Sequence, residues 1–291
     1  MRHFASGAAL AAALVAIAGA AAAQDAVVEA VQMPAWLERD GRTEPLAPGT
    51  ALGGRDALRT GPNGKLLLLL AEGSSVKLGE NAVLRLDAVA TRRDEDLLTA
   101  AMNVLAGAFR FTTAAIQKVR QRDVSITVAT ATAGIRGTDL WGKAAADRDI
   151  ICLIEGAIEV TRGTDAPVLM DQPKSFYVAP RGAPPLPVAP VSDAQLAQWA
   201  AETEIDDGRG AARRGGRWKV ILFGGSHENE VLAVYERVRR AGYAAELGAF
   251  WRRNERHYDV RIANLPTRAE ARALGERLTG QFGITETRVV R

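Results

Sequence analysis

Short apolar runs, each closed by turn residues, fill the chain from Val27 to about Val178. Residues 65–71 carry five consecutive leucines between Gly61-Pro62-Asn63-Gly64 and Glu72-Gly73. Residues 75–78 alternate apolar and polar, Gly79-Glu80-Asn81 turns, and 83–86 alternate again. In 107–111, Phe109 and Phe111 stand two apart and so share one face of a strand. Further short runs follow at 124–128 and 149–160, the last interrupted by Glu155-Gly156. Runs of this length with this punctuation predict an all-β domain, solenoid- or sandwich-like. Residues 94–106 depart from the pattern: Leu97, Leu98, Met102 and Leu105 suit either a short helix or an outer edge strand.

Past Val178 the punctuation changes. Pro180, Pro184, Pro185 and Pro187 lack the donor that a sheet interior needs, and 179–216 reads as a linker. Within it Ser192, with Gln195 three residues on, opens a short helix whose Leu196 and Trp199 form an apolar side. Residues 206–216, rich in Gly, Arg and Asp, read as a flexible tether. From 217 to 291 the rhythm is strand, helix, strand, strand, helix, strand. Residues 218–223 are strand-like, and Val231, Leu232, Val234, Tyr235 and Val238 fall at helical spacing. Gly242 ends that helix after Arg239-Arg240. Residues 243–247 and 258–262 make the middle strands, Thr267 and Glu270 a capping box, Leu274 and Leu278 the second helix stripe, and 284–290 the last strand. This βαββαβ order predicts an α+β, ferredoxin-like module with both helices on one side of an antiparallel sheet and the other face open. By strand parity Val220 and Leu222 face the helices, and Ile221 and Phe223 face the open side.

The first residues set the expected compartment. Arg2, an apolar run over 8–18 and Ala21-Ala22-Ala23 before polar Gln24-Asp25 follow the order of a secretory signal peptide. The expected plan is a signal peptide over 1–23 cleaved near Ala23, a β-domain over 24–178, a linker over 179–216 and a C-terminal module over 217–291. No later stretch nears the roughly 18 apolar residues of a spanning helix, so a periplasmic protein without an integral membrane segment is expected. A hydrophobic content of 47% suffices for globular cores. Net charge is +3, with an arginine excess toward the C-terminus. Such a surface attracts anionic polymer or lipid, and export leaves little opportunity for nucleic acid. Cys152 is the one cysteine and reads as a small buried hydrophobe between Ile150-Ile151 and Leu153-Ile154. With only three histidines, no metal site and no cofactor are expected. The carboxylate pairs Asp94/Asp96 and Asp206/Asp207 lie in charged or flexible stretches, and no flanked nucleophile or phosphate loop stands beside them. An enzyme is not expected.

Two family resemblances follow from these residues. The β-domain resembles a FecR-type domain through Asp56-Ala57-Leu58-Arg59-Thr60-Gly61, Asn63-Gly64-Lys65 and 72–78. Leu105-Ala106-Gly107-Ala108-Phe109-Arg110-Phe111, Gly134-Ile135-Arg136-Gly137-Thr138-Asp139 and Ile154-Glu155-Gly156-Ala157 continue the set. Ala131 stands where relatives usually carry proline. The resemblance implies a signal-sensing or interaction module contacting an unidentified envelope protein. Arg59, Arg136, Gly137 and Thr138 are its motif residues here, with turn-forming and hydrogen-bonding roles ahead of partner contact. The relay of an iron-uptake signal across the membrane, known from relatives, is not expected of this chain.

The last 75 or so residues resemble a SPOR domain through Trp218-Lys219-Val220-Ile221-Leu222, Ala241-Gly242-Tyr243, Tyr258-Asp259-Val260-Arg261-Ile262 and Thr267-Arg268-Ala269-Glu270-Ala271. Relatives usually carry glutamine at Ile221, glycine at Phe223 and arginine at Asp259. The resemblance implies binding of peptidoglycan glycan strands, with Ile221, Phe223, Phe250, Trp251 and Arg261 as the contact residues. The alternative is a module that no longer binds glycan and docks protein instead.

Overall fold

A computed structural model describes residues 25–92, 97–114 and 121–291, with backbone alone at 91, 92, 121, 122 and 136. The expected leader lies outside the described residues, as do 93–96. In chain order the first strands are β1 (Ala26–Gln32), β2 (Ala35–Arg39), β3 (Arg42–Pro45), β4 (Ala51–Leu52), β5 (Ala57–Thr60), β6 (Lys65–Leu70), β7 (Ser75–Leu78) and β8 (Val83–Arg92). Longer strands follow: β9 (Leu97–Thr112), β10 (Gln121–Val128), β11 (Ala131–Ala144) and β12 (Arg148–Thr161). Then come β13 (Val168–Met170), β14 (Ser175–Pro180), β15 (Leu186–Pro190), helix α1 (Asp193–Thr203) and β16 (Ala212–Arg213).

Three of these strands serve two layers each. The first part of β9 pairs with β8 and, in parallel, with β10, while its second part pairs with β7 and β11. β11 pairs with β10 before its bend and with β9 after it. β12 meets β14 at one end and β13 at the other. One layer therefore runs β3-β2-β5-β8-β9-β10-β11-β12-β13, and the other β16-β1-β6-β7-β9-β11-β12-β14-β15. Strands that change sheet at bends make the corners of a sandwich. The corners here are Gly107, Gly137 and Gly156, with φ of +79°, +63° and +92°. A side chain in that region costs roughly 1–2 kcal/mol. At Gly107 it would also meet the Ala82 Cα at 2.5 Å, and at Gly156 it would meet the Gly137 carbonyl.

Period-two alternation fills the space between the layers. Leu66, Leu68 and Leu70 of β6, Val76 and Leu78 of β7, and Phe109 and Phe111 of β9 are all buried. Each such side chain contributes roughly 1.5–3 kcal/mol on burial. The same alternation settles residues 97–106. Leu98, Ala100, Met102 and Val104 are buried while Leu105 is 47% exposed. That stretch is a central strand, neither helix nor edge, because β8 and β10 flank it.

The expected linker is folded. β15 pairs with β14, and its prolines are tolerated because it lies at the end of the layer. Ser192 caps α1 by accepting the Gln195 N–H. Residues 206–216 are no tether: β16 pairs with β1, and the N–H groups of Gly208, Gly210 and Ala211 donate to the Glu270 carboxylate at 2.5, 2.6 and 3.0 Å.

The C-terminal module comprises β17 (Trp218–Gly225), α2 (Glu228–Arg240), β18 (Ala245–Arg252), β19 (Glu255–Leu265), α3 (Arg268–Leu278) and β20 (Arg288–Val290). Its antiparallel sheet runs β18-β19-β17-β20. Val231, Val234 and Val238 of α2 and Ala271, Leu274 and Leu278 of α3 are buried with Val220, Leu222, Val260 and Ile262. β20 is shorter than the expected 284–290, since Gly280, Phe282 and Gly283 take positive φ and hold the preceding chain in turns. Only half of the expected capping box forms. Thr267 accepts the Glu270 N–H at 3.1 Å, but the Glu270 side chain turns to 208–211 instead.

The two modules are joined by more than chain. The Ala35 N–H donates to the Gly242 carbonyl at 3.0 Å, Trp36 Nε1 to the Arg240 carbonyl at 3.3 Å, and Arg277 Nη2 to the Met33 carbonyl at 3.2 Å. One contiguous apolar cluster contains buried residues of both.

Candidate functional site

The motif residues of the β-domain take mainly structural positions. Gly137 and Thr138 form the bulge where the β11–β12 register shifts. The Thr138 N–H donates to Thr113 Oγ1 at 3.0 Å, and the Thr138 carbonyl accepts from the Thr113 N–H at 3.0 Å. Arg136 is paired through its backbone with Ala157, and its side chain lies outside the described residues. The Arg59 guanidinium stacks 4.3 Å over the Trp36 ring and lies 3.8 Å from Glu38. It lines a cleft of about 490 Å³ between the modules, with Trp36, Pro45, Tyr235, Arg239 and Arg240.

Other polar groups escaped notice in the sequence. Arg110 Nε and Nη2 fork onto Asp139 at 2.9 and 2.6 Å, and that hydrogen bonding raises the guanidinium pKa against the opposing effect of burial. Lys65 Nζ donates to the Ala201 and Glu204 carbonyls at 3.0 and 2.5 Å, at the C-terminal end of α1. Lys77 pairs with Glu204, and Lys143 with Glu202 at 2.8 Å. Because α1 has no basic residue in its own last turn, the sheet supplies the cations that its carbonyl end favours. The apolar side of α1 completes the contact: Trp199 stacks on Trp141 at 4.7 Å and meets Phe176 edge-on at 5.6 Å. Cys152 lies in the same small cluster, and burial pushes its thiol up to about 12.

The face of the C-terminal sheet opposite α2 and α3 carries a groove of about 710 Å³, lined by Ile221, Phe223, Phe250 and His257 among others, with Arg252, Glu286, Thr287 and Arg288 adding polar groups. The Phe250 and His257 rings stack at 5.8 Å, opposite one another across β18 and β19. Arg261 pairs through its backbone with both Ile221 and Glu246, and its guanidinium lies 3.7 Å from Glu246 and 3.6 Å from Asp259. Gly248 leaves the room for that pair, since a Cβ there would meet Arg261 Nη1 at 2.7 Å. Asp259 Oδ1 and Arg261 Nε are buried without a hydrogen-bond partner. The register shift after Ile221 sets Phe223 opposite core-facing Val260, packed against the apolar cluster and reaching only the edge of the groove, while Ile221, Phe250 and Arg261 are brought to one side. Trp251 is not: strand alternation turns it, with its partner Arg256, to the opposite side, where it is 73% exposed.

Among the described residues no group of three or more His, Cys, Asp or Glu could hold a metal ion, and no helix is long and apolar enough to cross a membrane. No curated protein matches the chain. Two crystal structures of a candidate anti-sigma factor from Parabacteroides distasonis are similar over part of the chain, each at 14% identity with a TM-score of 0.40. The similarity covers 50% of this chain and 64% or 63% of those, so less than two thirds of their length is spanned. Residues 56–159 match the family model described as FecR protein, and this stretch of the β-domain, with its three corner glycines, carries the FecR pattern.

Proposed function

We propose that the protein is an exported, non-catalytic adaptor of the cell envelope. Its FecR-type β-domain contacts a partner protein, and its C-terminal, SPOR-type ferredoxin-like module holds glycan strands of peptidoglycan. The observation that carries the second half is the groove on the open sheet face. Stacked rings of Phe250 and His257 offer a flat apolar platform, with Arg252, Thr287 and Arg288 around it to meet hydroxyls. A concave site that pairs ring surfaces with a few polar groups suits a sugar polymer. The sheet order β18-β19-β17-β20 with both helices on one side supports the ferredoxin-like reading.

The test is retention of the chain from Gln24 on sacculi, with and without amidase removal of stem peptides. Retention is expected on the stripped glycan, with Phe250→Ala lowering it about tenfold, the loss of one good stacking contact. Retention no greater than that of a control protein overturns the reading. A second reading, protein docking on the same face, is favoured by the apolar Ile221 there, with Phe223 at the edge of the groove. Changing both, to Gln and Gly, raises glycan retention under the first reading and weakens a protein complex under the second.

A further inference from the structure

Trp251 has no part in the groove, yet it is the most exposed large apolar side chain among the described residues. It lies near the end of the β18–β19 hairpin. β17 stops pairing at Gly225 opposite Tyr258, and three further β18–β19 pairs, Phe250 with His257, Trp251 with Arg256 and Arg252 with Glu255, run on beyond it. At about 3.3 Å per residue the hairpin projects about 10 Å past its neighbour. Its two-residue turn, Arg253-Asn254, has φ of +50° and +66° at both central positions. That is the tight turn whose twist matches the strands, so the tip is stiff. Arg252, Arg253 and Arg256 are exposed around it, against Glu255 as the one acid. The Arg256 guanidinium stacks 5.3 Å over Tyr258, which in turn donates to Glu228 at 2.8 Å. The module behind is basic too, with fourteen Lys and Arg against nine Asp and Glu over 217–291.

We infer that this tip is a docking point for an anionic phospholipid surface, with Trp251 seated at the headgroup level and Arg252, Arg253 and Arg256 on the lipid phosphates. An indole on a stiff projection favours the bilayer interface, where its ring is half buried and its N–H stays wet. Each arginine near an anionic surface is worth roughly fivefold in affinity, and the effect fades beyond a Debye length of about 10 Å. One aromatic plus three cations gives a weak, reversible attachment, not an anchor. A sugar platform would need a recessed aromatic face, and the sheet groove already offers one in Phe250 and His257. Trp251 and the groove lie on opposite sides of the hairpin, and Arg252, which also lines the groove, is the one group the two sites share.

Co-sedimentation of the chain from Gln24 with vesicles tests this. Vesicles of phosphatidylglycerol and phosphatidylethanolamine are compared with vesicles of phosphatidylcholine alone. Binding is expected to the acidic vesicles only, falling as salt rises. Trp251→Ala and Arg253→Glu each lower it at least about fivefold, while Arg272→Glu, an equal change of net charge on the exposed side of α3, leaves it within about twofold. Circular dichroism confirms that each variant is folded. Sacculus retention is measured on the same variants and is expected to be unchanged by Trp251→Ala, so loss of the glycan site and loss of the lipid site are told apart. Equal binding to both vesicle types, no binding to either, or an Arg272→Glu loss as large as that of Arg253→Glu overturns the inference. So does Trp251→Ala weakening sacculus retention while leaving vesicle binding intact.

Discussion

Gly242 shows how much one residue can decide. It closes α2 with φ of +85°, and its carbonyl accepts from Ala35 of the other module. A Cβ there would meet the Trp36 ring at 2.6 Å. Gly242→Ala therefore combines backbone strain with a clash at the junction and is expected to destabilise the protein by about 2–4 kcal/mol, read from the urea midpoint. Cys152 makes the opposite case, a residue whose chemistry is switched off by its surroundings. Burial raises its thiol from 9.0 to about 12, so folding favours the protonated form. Its contribution is full below about pH 9 and is lost as the pH climbs toward 12. Cys152→Ala is expected to flatten the fall in stability over that window. In the native protein the thiol is expected to ignore Ellman's reagent at neutral pH and to react once unfolded in guanidinium. The burial of Cys152 was legible from its apolar neighbours. The error at Trp251 came from grouping it with Phe250 on aromatic character alone, although adjacent residues of a strand cannot share a face.

At the level of elements, α1 was legible at its start and illegible in its docking. Ser192 and Gln195 mark the cap within four residues of chain. Lys65, which holds the other end, is 136 residues from Ala201, and no local pattern links them. Trp199→Ala, which removes the stack on Trp141, is expected to cost about 2 kcal/mol in a denaturation curve, less than a fully buried Trp because the residue is only partly buried. Lys65→Met leaves the Ala201 and Glu204 carbonyls without their donor and is expected to cost about 1–2 kcal/mol. The long strands carry a similar lesson. Gly107, Gly137 and Gly156 read as turn formers, and each does take positive φ. What periodicity could not show is that the strand continues through the bend into a second layer, because β9, β11 and β12 keep their alternation on both sides of it.

At the scale of the whole molecule, composition misstates the mechanics of 206–216 for a definite reason. Gly and Arg content measures what a segment does in isolation, and here a carboxylate from α3 gathers three of its N–H groups. Native protein is expected to resist trypsin at Arg209, Arg213 and Arg214. Glu270→Ala, which orphans those donors, is expected to speed cleavage at Arg209 at least about tenfold, followed by gel electrophoresis and mass spectrometry. A flexible cord between the two modules would set only how far apart they can drift. The carboxylate clasp and the shared apolar cluster set the angle between them as well. Whatever grips the outer sheet thereby fixes which way the sandwich points, and a twist applied at one end arrives undiminished at the other, as in a bracket screwed to a wall.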